Sequence, residues 1–237
     1  MSENDFQLDN QNAYDNIPHC LACQSESRHI PAMPPSGSTT PSGGPVLGGA
    51  EFVGSYPDPL VTLDPPLPEI ALIGRSNVGK SSLLNALVGQ PGLARVSGTP
   101  GKTTLLNAFR LPHLYLVDLP GYGFAVAGKA ARVGYRKLVT GYLRERPTLA
   151  GVVWLLDVRR DPSPDDFTIQ ELLIESGRPV LAVLTKADKL SRTAGMDRAH
   201  ALARMLGLDE SQVQLVSSKT KLGVAELGES ILATVGG

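Results

Sequence analysis

Residues 74–81 read GRSNVGKS, which fits the pattern G-x-x-x-x-G-K-[ST] and falls directly after the apolar run EIALIG and directly before a helical pattern. No other stretch restricts the fold so strongly. A glycine-bounded loop between a strand and a helix turns several backbone N–H groups toward one point, where the helix N-terminus adds positive potential. In such a loop Gly74, Arg75, Ser76, Asn77, Val78 and Gly79 wrap the phosphates of a nucleotide, Lys80 reaches the β- and γ-phosphates, and the Ser81 hydroxyl ligates Mg²⁺. This geometry belongs to an open α/β sheet whose strands end at the phosphate site.

The rest of the chain supplies that sheet. Apolar runs of strand length occupy residues 69–74, 105–110, 114–118, 151–157, 179–185 and 212–216, and helical patterns lie at 80–88, 129–146, 164–176, 197–206 and 224–235. The runs are continuous rather than alternating, which marks strands buried on both faces of a mostly parallel sheet. Ser163 with Pro164 and Asp166 starts one helix as a capping box, and Gly177 suits the left-handed position beyond its end. The fold class is α/β, a three-layer domain with six strands over residues 51–237.

Residues 1–50 read differently. They carry Glu3, Asp5, Asp9, Asp15 and Glu26 against Arg28, a net of −4 that leaves +3 on the remainder of a chain whose total is −1. Residues 31–49 are rich in Pro, Gly and Ser and offer little to bury, so this stretch is expected to be a disordered tail. Cys20 and Cys23 form one C-x-x-C near His19 and His29, without the second pair that a four-thiolate zinc site requires. No run approaches the roughly 18 apolar residues of a membrane span. An acidic start without an apolar stretch is neither a secretory signal nor a transit peptide, so the expected location is the cytoplasm.

Four further motifs follow the phosphate loop in order. Asp118-Leu119-Pro120-Gly121 closes a strand, so the carboxylate can hold Mg²⁺ through water while the Gly121 amide senses a γ-phosphate. Thr185-Lys186-Ala187-Asp188 follows the fifth strand. Only guanine presents N1–H and N2–H₂ side by side, and one carboxylate at Asp188 can accept both, with the Lys186 stem along the base. Ser217-Ser218-Lys219 ends the sixth strand, where the Ser218 N–H can reach guanine O6. Between the first two strands, Thr99, Pro100, Gly101, Lys102, Thr103 and Thr104 form a polar loop of the kind that lends a threonine to Mg²⁺ and the γ-phosphate, with Leu105 beside it at the start of the next strand; spacing alone does not choose between Thr103 and Thr104.

The segments GRSNVGKSSLLNAL, TPGKT, DLPGYGFA, TKADKL and SSKTKLG, in that order, resemble the YihA/EngB/YsxC family of GTP-binding proteins, which belongs to the Era-like P-loop GTPases. The resemblance runs from about residue 50 to the C-terminus. It implies a Ras-like domain that binds GTP and GDP, hydrolyses GTP with Mg²⁺ and acts as a monomer in assembly of the large ribosomal subunit, contacting its RNA or protein, with an associated role in cell division and septation. It selects Thr103 as the switch threonine, beside Ser81 and Asp118 as the residues of the metal site. It also makes Thr185 ordinary where many GTPases carry asparagine.

In hydrolysis the expected participants are Lys80, Thr103, Gly121 and Asn77. Tyr122 stands where Ras-type enzymes carry the glutamine that orients water, so intrinsic turnover is expected to be slow, about 10⁻⁴ to 10⁻² s⁻¹. Asn77 resembles the K⁺-coordinating asparagine of cation-dependent relatives, or else it serves only the turn. Two other functions compete: a septin-like module in which GTP is a structural ligand, and an ATP-dependent kinase, which the guanine-reading residues disfavour. Lys129, Arg132, Arg136, Lys137, Arg144 and Arg146, opposed only by Glu145, form either a solvated helix face or a surface for phosphate-rich RNA.

Overall fold

The structure is a computed structural model that describes residues 29–34, 47–94, 105–123 and 129–236, with residues 129–132 described for their backbone alone. Seven strands and five α-helices occur among the described residues: β1 Glu51–Tyr56, β2 Glu69–Gly74, α1 Lys80–Val88, β3 Leu106–Arg110, β4 Tyr115–Asp118, α2 Lys129–Glu145, β5 Leu149–Asp157, α3 Pro164–Ser176, β6 Val180–Thr185, α4 Arg192–Leu206, β7 Val213–Leu215 and α5 Val224–Val235. One sheet holds all seven strands in the order β1-β3-β4-β2-β5-β6-β7. The pairs β1–β3 and β3–β4 are antiparallel and the others parallel. After β2 the chain builds β3 and β4 on one side and β5 on the other, which makes the C-terminal end of β2 the switch point where open α/β sheets bind ligands.

The apolar runs are continuous because both faces of the sheet are covered. Every residue of β2 is buried. On one face Trp154 and Tyr115 pack with Val139, Leu143, Leu173 and Leu202 from α2, α3 and α4. On the other, Leu72 and Val153 pack with Leu83, Leu87, Leu227 and Ile231 from α1 and α5. The six strands expected become seven because β1 is an edge strand, with Phe52 and Val53 exposed and a bulge between Phe52 and Gly54, so it lacks the continuous apolar signature. Helix α4 begins at Arg192, earlier than its apolar pattern, because the Ser191 side chain accepts the Ala194 N–H and caps it there.

At the pole opposite the end of β2, Glu69 and Arg146 form a buried pair. Arg146 Nη2 lies 2.7 Å and Nε 2.9 Å from Glu69 Oε1, Tyr142 Oη donates to Oε2 at 2.6 Å, and Arg146 Nη1 donates to the Val61 carbonyl. Arg144 pairs with Glu175 of α3. Of the six cations in the basic segment, Arg146 is therefore structural rather than part of a free surface, while Arg144 stays at the surface with its charge met by Glu175. Among the described residues, no helix is long and apolar enough to cross a membrane.

Residues 29–34 lie within the stretch expected to be a disordered tail, yet they pack on the domain. Val180 N–H donates to the Pro31 carbonyl at 2.7 Å, Met33 N–H to the Val180 carbonyl at 3.4 Å, and Gln212 Nε2 to the Ile30 carbonyl at 2.8 Å. Ile30 and Met33 are buried, the first in the cluster on one face of the sheet and the second in the cluster on the other. Cys20, Cys23 and His19 lie outside the described residues.

Removing residues 1–28 should leave the melting temperature unchanged, whereas removing 1–34 should cost about 3 kcal/mol or more, from the burial of two large side chains. Equal melting temperatures for the two truncations would show that Ile30 and Met33 contribute nothing.

Candidate nucleotide and switch site

The site forms where β2 stops. Asn77 and Gly79 take left-handed backbone angles, φ 63° and 116°. The second is open to glycine far more than to other residues. Gly79 also N-caps α1 without any side-chain bond, and no acidic residue lies in the first turn, so the N–H groups there remain directed at an incoming anion. The opposite side of the loop is fully engaged. Lys186 Nζ donates to the Asn77 carbonyl at 2.8 Å, and Thr185 Oγ1 donates to the Val78 carbonyl at 2.7 Å. Lys186 itself has φ 62°, so two non-glycine residues in left-handed geometry meet here, each at a cost of order 1–3 kcal/mol.

Asp118 ends β4 beside this loop, 3.9 Å from Lys80 Nζ. Its Oδ1 is buried and has no hydrogen-bond partner. Burial pushes its carboxyl up to about 6, against the opposing pull of Lys80 and of Asn107, its cross-strand neighbour on β3. Gly121 lies so close that a Cβ there would stand 2.8 Å from Ser76 Oγ and 3.2 Å from Lys80 Nζ, which explains why this position has no side chain. Ser76 N–H donates to the Tyr122 carbonyl at 3.0 Å, tying the segment to the phosphate loop.

The Tyr122 side chain turns inward. Its hydroxyl donates to Asp166 Oδ1 at 2.7 Å and accepts from Trp154 Nε1 at 3.0 Å. Burial and the neighbouring Asp166 carboxylate hold the phenol well above its ordinary range, so it stays protonated. Asp166 is also the capping-box residue, accepting the Ser163 N–H and Oγ–H, and Arg75 approaches it at 3.9 Å.

The residues expected to read the base surround the end of β6. Ser217 Oγ donates to Asp188 Oδ1 at 2.7 Å, and this bond, more than the nearby Lys189 and Lys219, holds the Asp188 carboxyl below the usual carboxylate range. Ala187 N–H donates to the Val216 carbonyl, which brings the segment carrying Ser217, Ser218 and Lys219 alongside Thr185, Lys186, Ala187 and Asp188. Leu119 and Pro120 are buried between Asp118 and Gly121, and Ser81 and Leu105 are half-buried. Gly101, Lys102, Thr103 and Thr104 lie outside the described residues.

Sequence reasoning passed over Asp157 and the inward anchoring of Tyr122. A signal for the first existed: the run GVVWLLD ends in an acid as LYLVD does, and the two strands flank β2 on either side.

Replacing Thr185 with valine keeps the shape and removes the donor to Val78. The buried carbonyl left unpaired should cost about 1–3 kcal/mol in denaturant unfolding and loosen GTP and GDP equally. Wild-type stability together with wild-type affinity would show that the bond to Val78 is dispensable.

Comparison with known proteins agrees with this geometry. The family described as 50S ribosome-binding GTPase matches residues 69–186. The chain is 44% identical over 183 residues to a probable GTP-binding protein EngB from Gemmatimonas aurantiaca, covering 75% of this chain and 90% of that protein. It is 46% identical over 166 residues to the corresponding protein of Syntrophus aciditrophicus, covering 70% and 84%. A crystal structure of a probable GTP-binding protein EngB superposes with a TM-score of 0.60 over 70% of this chain and 98% of its own, at 22% identity, and thus shares the fold. Era bound to MgGDPNP and nucleotides 1506–1542 of 16S ribosomal RNA shares it too, with a TM-score of 0.56 over 71% of this chain and 57% of its own at 22% identity. Identity above 40% across nine-tenths of a relative, with a family match whose residues 69–186 take in the loop that ends β2, places this chain in the EngB family of GTP-binding proteins, and it is a GTPase.

Proposed function

We propose that this GTPase is a switch acting on the large ribosomal subunit during its assembly, and that an associated role in cell division and septation follows from that work. The observation that carries the reading is the exposed cationic pair Arg136 and Lys137 on α2, the helix that follows the Gly121 segment in the chain. In α2, Val133, Gly134, Arg136 and Lys137 are all exposed. The helix begins eight residues after Gly121, so a change in that segment on loss of the γ-phosphate is passed directly to it. Exposed guanidinium and ammonium groups suit phosphate-rich RNA. The description of the matching family as ribosome-binding supports the same partner.

In this reading Asp188 accepts the guanine N1–H and N2–H₂, Ser218 N–H donates to O6, and Lys80 counters the β- and γ-phosphates. Ser81, Thr103 and Asp118 would hold Mg²⁺, the last through water; the unpartnered, buried Oδ1 of Asp118 suits a hydrated cation. When bound, Mg²⁺ supplies charge neutralisation at the phosphate oxygens. The Gly121 N–H senses the γ-phosphate. Tyr122, engaged by Asp166 and Trp154, cannot orient the attacking water, so intrinsic turnover is slow, about 10⁻⁴ to 10⁻² s⁻¹. Asn77, exposed at the loop tip, is the residue that would lend a ligand to K⁺. The protein works as a monomer in the cytoplasm.

Asp118 gives this scheme a pH signature. Its folded-state value near 6 lies above the ordinary carboxyl value of about 4, so the buried neutral acid favours the nucleotide-free fold below pH about 4, an advantage lost as pH rises through about 6. Conversely, tightening of nucleotide binding by Mg²⁺ should fade as pH falls through about 6, and Asp118→Asn should flatten that dependence. A Mg²⁺ effect that is constant from pH 5 to 8 would remove Asp118 from the metal site.

The partner is tested by reversing charge at Arg136→Glu and Lys137→Glu together. Co-sedimentation of the GTP form with large ribosomal subunits should weaken at least about tenfold, and the salt dependence should become shallower by about one unit for each phosphate that the helix no longer neutralises. Nucleotide affinity should stay unchanged. Binding that survives at every salt concentration places the ribosomal contact on another surface.

A further inference from the structure

At the end of β5, Asp157 has only 9% of its side chain exposed and both carboxylate oxygens saturated. Oδ1 accepts from Arg159 N–H at 3.1 Å and Arg159 Nε at 2.8 Å. Oδ2 accepts from Arg159 Nη2 at 2.7 Å and Lys186 Nζ at 3.0 Å. So complete a set of donors leaves no lone pair turned toward a metal or a phosphate. Its work must be done on the groups it holds.

Those groups are unequal. Arg159 is on the surface and its fork fixes the orientation of the carboxylate. Lys186 is at the site: its backbone is left-handed, its ammonium spans Asp157 Oδ2 and the Asn77 carbonyl, and two residues on stands Asp188. Asp157 is also the register partner of Thr185 across the β5–β6 pair, so its carboxylate arrives beside Lys186 by sheet geometry alone. Without it, the ammonium would keep one acceptor and face an unneutralised guanidinium. The long stem would then sample many rotamers instead of one.

We propose that Asp157 is a positioning residue of the nucleotide site: oriented by Arg159, it holds Lys186 Nζ against the phosphate loop so that the Lys186 stem stands as a fixed wall for the base. The assignment rests on the reading of Asp188 as the guanine acceptor. It predicts a base-side effect, blind to the γ-phosphate. Loss of one charge-assisted bond corresponds to about 10- to 100-fold in affinity.

The test measures GTP and GDP affinity and the single-turnover rate at saturating GTP for Asp157→Asn, Lys186→Met and the double variant, with Asp188→Asn alongside. Asp157→Asn should weaken GTP and GDP by the same factor, within the range above, and leave the rate for bound GTP within about twofold, a split that a merely structural defect would not produce. The double variant should bind no more weakly than Lys186→Met alone, within about threefold, because Asp157 acts through that ammonium. Arg159→Gln, a surface change that preserves the fold, should weaken both nucleotides in the same proportion and by less. Asp188→Asn should turn preference from GTP to xanthosine triphosphate; if it still prefers GTP, the guanine reading itself fails. If that preference turns but Asp157→Asn and Arg159→Gln bind both nucleotides as the wild type does, or the Asp157 and Lys186 losses multiply, the assignment of Asp157 is overturned.

Discussion

A loop that turns its N–H groups inward to meet phosphates must turn carbonyls outward, and those carbonyls need donors that no local structure supplies. Here the donors come from the end of β6: Thr185 reaches Val78 and Lys186 reaches Asn77, across 107 and 109 residues of chain. The anion-binding geometry is therefore conditional on the sheet, because β6 must pair with β5, and β5 with β2, in the observed register before either donor arrives. A shift of one residue in either ladder would put the wrong side chain against the loop. Threonine suffices at position 185 because the requirement is one short hydroxyl, which also reaches the Leu156 carbonyl at 3.1 Å.

The two ends of the sheet are organised by opposite means. At the nucleotide end, polar groups are left poised: Asp118 keeps an unpartnered oxygen, and the first turn of α1 keeps free N–H groups. At the far end everything is closed, with Glu69 bonded to Arg146, Tyr142 and Thr148. A buried ion pair of this kind adds little net stability over an apolar packing of the same volume, but breaking it is costly, so it specifies how α2 leaves the domain. Helix α2 is thus fixed at its C-terminus, and in the chain it follows the segment that carries Gly121. Tyr122 limits how much of that segment can move, since its ring is bonded to both β5 and the cap of α3.

What could be read in the sequence was what depends on near neighbours. The phosphate loop, the continuous strands and the capping box at Ser163 are written in consecutive residues, and each lies where its local pattern puts it. The features that escaped depend on distant partners. Strand β1 has no buried residue because it lies at the sheet edge, and a short run of mixed polarity at the border of a polar tail carries no distinct signal. Arg146 reads as surface charge because its acid, Glu69, lies 77 residues away. Asp157 has the same difficulty: what it holds at Lys186 becomes visible only when β5 and β6 are side by side.

The packing of residues 29–34 has a consequence for the order in which the molecule is completed. This segment is made well before its partners at Val180 and Gln212, the second separated from Ile30 by 182 residues. During synthesis it emerges with no site to occupy, and Ile30 and Met33 must wait exposed until both faces of the sheet exist to receive them. Its docking is therefore a closing step that reports on the whole domain at once, and a chain interrupted before residue 212 cannot be sealed at this seam.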